Sequence, residues 1–144
     1  MYRTLRLELK LLSVLCALLL LGCSRTSFAA VPLDRSTPDS VILALYDAIS
    51  RQDVTLFGAV CALDPDTRET AEQAMGIAIE TGIRYEIRDI EWDVISKDSE
   101  TLRVDTRYRE TITMNGKVLQ EIDSGDWLTL IQKDGEWYVL CPQP

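Results

Sequence analysis

The sequence predicts an α+β domain in which helices come first and pack on one face of a curved four-stranded antiparallel meander. Three observations predict it. Apolar residues recur at helical spacing from residue 38 to about residue 80, then alternate after Gly82. Asn115-Gly116 and Asp134-Gly135 are two-residue hairpin signals, which join strands in antiparallel fashion. With 144 residues and 47% hydrophobic content, the chain is long enough and apolar enough to fill one core.

Ser36-Thr37-Pro38-Asp39 opens the first helix, with Thr37 as cap, proline at the first helical position and an acid in the first turn. Val41, Leu45 and Ala48, with Ile42, Tyr46 and Ile49, give it a wide apolar face through about Arg51. Asp53 caps a shorter helix over 54–63, carrying Leu56, Phe57, Val60 and Cys61. Asp64-Pro65 opens a third, which carries Ala71, Met75, Ile77, Ala78 and Ile79 and closes at Gly82, where a left-handed residue is wanted.

The strands begin there. Ile83, Tyr85 and Ile87 alternate, and Ile90, Trp92 and Val94 alternate in the opposite phase, so a bulge near Arg88-Asp89 bends the first strand. In the second strand Leu102, Val104, Thr106 and Tyr108 face one way while Arg103, Asp105, Arg107 and Arg109 face the other. Val118, Ile122, Trp127, Leu128, Leu130 and Ile131 make a third long strand bent at Gly125, and Trp137-Tyr138-Val139-Leu140-Cys141 makes the fourth. The helices pack on one sheet face.

Three stretches, PDSVILALYDAISRQDV, the bent strands over 85–114 and the closing LTLIQKDGEWYVL, resemble the nuclear-transport-factor-2-like superfamily. Its SnoaL-like and cystatin-like branches share this cone of helices over a curved sheet, and the chain is most similar to its small bacterial lipoproteins. The resemblance covers residues 38–141. It implies the cone fold, but the superfamily holds isomerases, dehydratases, polyketide cyclases and non-enzymatic binding modules, so fold does not settle activity. Its enzymes generally set an Asp or Glu in the cone with His, Tyr or Arg. This chain departs from that pattern, having no histidine.

The first residues read as an address. Arg3, Arg6 and Lys10 precede an eleven-residue apolar run from Leu11 to Leu21, too short to span a bilayer comfortably. Leu20-Leu21-Gly22-Cys23-Ser24 then resembles the bacterial lipobox, which implies a diacylglycerol on the Cys23 sulfur and removal of residues 1–22. Several acyl chains make a stable anchor where one does not. Ser27-Phe28-Ala29 is the competing site for an ordinary signal peptidase. The expected organisation is a signal peptide over 1–22, a lipidated cysteine and tether over 23–36, and one domain over 37–144. The expected location is the cell envelope, with the domain outside the cytoplasmic membrane.

In that compartment Cys61 and Cys141 remain as one pair eighty residues apart, either disulfide-bonded or buried as two free thiols. Removing 1–22 takes the net charge from −8 to −10, which argues against nucleic acid as a partner. The lack of histidine excludes Ser-His-Asp and Cys-His catalysis and His-ligated zinc. No cofactor motif and no metal-ligating spacing is present. The candidate pocket is Tyr85, Trp92, Tyr108, Glu110 and Trp127, although a sheet packed on three helices needs such side chains as plain core. Glu110 shares the inward row with Tyr108, and a buried carboxyl there can act as general acid or base on a hydrophobic substrate; a solvated edge position is the plainer account. Cross-strand ion pairs are the plain account of the outward arginines. The expected function is non-enzymatic, with an envelope protein or a small apolar ligand as partner and the sheet face as the surface for a homodimer.

Overall fold

The computed structural model describes residues 33–141. Three helices, α1 (Pro38–Arg51), α2 (Val54–Val60) and α3 (Pro65–Glu80), precede five strands. These are β1 (Ile83–Lys97), β2 (Thr101–Met114), β3 (Lys117–Ser124), β4 (Trp127–Lys133) and β5 (Glu136–Val139).

Each helix starts where a side chain can answer its first free amides. The Thr37 hydroxyl accepts from Ser40, Asp53 accepts from Leu56, and Asp64 accepts from Thr67. The Thr→Ala or Asp→Ala cost at such a position is typically about 1 kcal/mol. Gly82, at φ +71°, turns the chain from α3 into β1. Helix α1 is the core helix: Val41, Ile42, Leu45, Tyr46 and Ala48 are all buried. Helix α3 differs from expectation. Ala71, Met75 and Ala78 are half-buried along one stripe, whereas Ile77 and Ile79 lie on the exposed side.

β2 is the spine of the sheet. It pairs along its length with β1 on one side, and on the other with β4 near its start and β3 near its end. The third long strand expected from the sequence is therefore β3 and β4 in succession, interrupted at Gly125-Asp126, and β5 follows on the outer side of β4. The bend has a steric reason: a Cβ on Gly125 would run into the Thr106 carbonyl oxygen. In β1 the register shifts between Arg88 and Glu91, where Asp89 adopts φ +54°, so the phase slip read from the sequence is a real bulge.

Val41, Ile42, Leu45 and Tyr46 of α1 pack on Leu102, Val104, Leu128, Leu130, Trp137 and Val139 of the concave face. The convex face is a lattice of charge. Arg107 reaches Asp93 at 2.8 Å, and Arg109 lies 3.3 Å from Asp123 and 3.9 Å from Asp89. All of these side chains are about half exposed or more, so each pair contributes at most about 1 kcal/mol.

Cys61 and Cys141 are joined as a disulfide, their Cα atoms 5.4 Å apart. Beside it Ala62 donates its amide to Val139, and the edge of β5 is closed further by residues 33–36. Trp137 donates its amide to the Arg35 carbonyl, the Arg35 guanidinium donates to Ala59 and stacks over Tyr138, and Leu33 packs on the core. These last four residues of the expected tether are thus part of the domain. Cys23 and the expected signal segment lie outside the described residues.

Candidate functional site

The concave face of β2 carries, in order, Leu102, Val104, Thr106, Tyr108 and Glu110. The first three are buried beneath α1; Tyr108 and Glu110 are half-buried, where the cone opens. Across the strands the site is walled by Ile87, opposite Glu110, and Trp92, opposite Thr106, both packed partly against the core. Tyr85, opposite Ile112, is half-buried farther along the same face.

A polar knot ties α1 to β2 and to the bend before β4. The Tyr46 hydroxyl from α1 lies 2.6 Å from Thr106 Oγ1 and donates to Asp126 Oδ2 at 3.4 Å. The Tyr108 hydroxyl donates to the same carboxylate oxygen at 2.8 Å. Asp126 is held by its backbone, because its carbonyl accepts from both the amide and the hydroxyl of Thr106. The rings of Tyr46 and Tyr108 meet at 4.9 Å between centroids, tilted by 51°. The strand bend at Gly125 carries the Asp126 carboxylate to the mouth of the cone.

The electrostatics follow from this packing. Burial chiefly drives the Tyr46 hydroxyl to hold its proton far above the ordinary tyrosine range, against the Thr106 hydrogen bond and with the Asp126 charge adding to it. Tyr108 is pushed up to about 12, first by burial; a hydrogen bond from Ser124 opposes this, and the bond to Asp126 and its charge reinforce it. Both phenols are therefore committed donors at neutral pH.

Four of the five pocket residues read from the sequence share this face: Tyr85, Trp92, Tyr108 and Glu110. Trp127 does not. It pairs with Asp105 on the convex face and is 76% exposed. The inward positions of β4 are Leu128 and Leu130, and a strand that alternates strictly must turn their neighbour outward. The sequence reading missed Tyr46 and Asp126 as site residues. Tyr46 read as one more apolar position of α1, and Asp126 as one more residue of a bend.

Among the described residues no group of three His, Cys, Asp or Glu side chains is placed to hold a metal ion. Among them, too, no helix is long and apolar enough to cross a membrane.

No protein-family model and no curated protein matches the chain. Solved structures do match it. A candidate aromatic ring hydroxylase from Novosphingobium aromaticivorans superposes with a TM-score of 0.57 at 8% identity, covering 74% of this chain and 83% of that one. A candidate calcium/calmodulin-dependent protein kinase type II association domain from Thiobacillus denitrificans gives 0.52 at 13% identity, over 72% and 90%. A protein with a cystatin-like fold from Nostoc punctiforme gives 0.50 at 13% identity, over 76% and 88%. Likeness at these identities is likeness of fold. It establishes a cystatin-like fold, three helices ahead of a curled antiparallel sheet.

Proposed function

We propose that this cone is the ligand-binding domain of a lipid-anchored envelope protein, and that it holds a small apolar ligand without transforming it. One observation carries the binding reading: Ile87, Trp92 and Tyr108 stay only partly buried on the concave face, beside the Tyr46–Thr106–Tyr108–Asp126 knot. A few placed polar groups in an otherwise apolar concavity are the usual make-up of a small-molecule site. The absence of chemistry is supported by the same bonds. Tyr108 donates its hydrogen bond to Asp126 rather than to Glu110, so the pair that an acid–base enzyme would need is not assembled. The anchor is supported by Leu20-Leu21-Gly22-Cys23 after its short apolar run.

A neutral probe tests the binding reading. N-phenyl-1-naphthylamine, added to the purified protein, is expected to brighten on entry and to shift the resonances of Ile87, Trp92 and Tyr108. No brightening, or shifts confined to the convex face around Trp127, would overturn it.

A further inference from the structure

We infer that the free edge of β3 takes up an extended segment of a partner protein in which basic residues alternate with apolar ones. This surface is separate from the cone, and it stands whether or not the cone holds a ligand.

β3 has the form of an acceptor strand. It pairs with β2 alone, and among the described residues no other backbone meets its outer edge. Seven of its eight residues are exposed, so neither of its faces is covered. A border of unpaired amides and carbonyls is a template for another strand. The border of β5, by contrast, is occupied by Arg35 and Ala62. Near the hairpin turn Val118 pairs with Thr113 and Gln120 with Ile112, so Leu119 is an extra residue that breaks the ladder. The regular part of the edge is therefore Gln120 to Ser124.

Alternation sorts those residues by face. Glu121 and Asp123 stand on the convex face, opposite Thr111 and Arg109. Gln120, Ile122 and Ser124 stand on the concave face, opposite Ile112, Glu110 and Tyr108. Asp123 stays largely exposed beside Arg109, and Glu121 forms no ion pair among the described residues. Ile122 is an exposed apolar residue between the two acids.

This pattern rejects a second copy at the edge. Two copies related by a twofold axis would join antiparallel, and every register that keeps the faces in phase sets acid on acid. Glu121 would oppose Asp123, or each would oppose itself. A foreign strand with basic residues opposite both acids, and an apolar residue between them opposite Ile122, meets no such conflict. The net charge of −8 draws such a segment toward the protein. The edge selects its partner by what it repels as well as by what it attracts.

The test presents the purified protein with three synthetic peptides, capped at both ends, and follows affinity and amide exchange by NMR. TKVKVKT is expected to slow exchange of amides within residues 120–124. It should bind about tenfold more tightly than TKKKVVT, which has the same residues without the alternation, and TEVEVET should not bind. Glu121→Lys, at an exposed position, should weaken TKVKVKT about tenfold while leaving the rest of the amide spectrum unchanged. Equal binding of TKVKVKT and TKKKVVT, or binding without slowed exchange in β3, would overturn the inference and leave only charge attraction. Slowed exchange in β3 that grows with protein concentration, without peptide, would overturn it in favour of a second copy.

Discussion

The Tyr108 hydroxyl meets the Asp126 carboxylate at 2.8 Å across eighteen residues of chain, and that contact ties the open end of β2 to the bend between β3 and β4.

Tyr46 is 1% exposed and is the largest fully buried side chain among the described residues. Tyr46→Phe removes the hydroxyl's bonds to Thr106 and Asp126 and should cost about 1–3 kcal/mol, whereas Tyr46→Ala leaves a cavity and should cost about 3–5 kcal/mol. Urea midpoints at constant m-value measure both.

Alkaline titration should show the phenols from the other side. Tyr108 keeps its proton to about 12 when folded, while an unfolded tyrosine loses it near 10, so the folded state binds the proton more tightly. That stabilisation is complete below about pH 10 and is lost as pH rises toward 12. Stability curves over pH 9–12 should flatten in Tyr108→Phe, and absorbance near 295 nm should lose a late-ionising tyrosine.

Gly125→Ala drives a methyl group into the Thr106 carbonyl. The bend must open to admit it, at about 1–3 kcal/mol, and Asp126 moves with the bend. The variant should therefore lose cone binding by more than Trp127→Ser, which removes a 76% exposed side chain and should change stability by no more than about 0.5 kcal/mol.

Blocking the Cys61–Cys141 bridge, by Cys61→Ala with Cys141→Ala, should lower stability by about 2–5 kcal/mol. Two free thiols on protein taken from an oxidising compartment would refute the bond.

Lipid attachment is read at Cys23. Metabolic labelling with a fatty-acid analogue should mark the wild type, and Cys23→Ala should abolish both label and membrane association. Soluble, unlabelled wild type beginning at Ala30 would sink the anchor.

Much of this fold was legible because it is local. Thr37, Asp53 and Asp64 announce helix starts through their own neighbours, and the bulge at Asp89 shows as a slip in a two-residue rhythm. The outward row of Arg103, Arg107 and Arg109 was legible for the same reason. The site was legible only in part. Alternation places Tyr108 and Glu110 inward, but nothing near Asp126 in the chain says that Tyr46, eighty residues earlier, will point at it. Trp127 was misplaced because apolar bulk was taken as a sign of burial, when strand phase against Leu128 and Leu130 decides the matter. Ile77 and Ile79 show the same limit on a helix.

The edge of β5 receives two segments: residues 33–36, through Arg35 and Trp137, and Cys141, through its bond to Cys61. Mechanically this makes the edge a single mounting point. Tension applied between Leu33 and Cys141 is borne by a covalent crosslink and a few amide bonds on one border of the sheet. The cone, whose mouth is framed by β1, β2 and Asp126, lies off that load path.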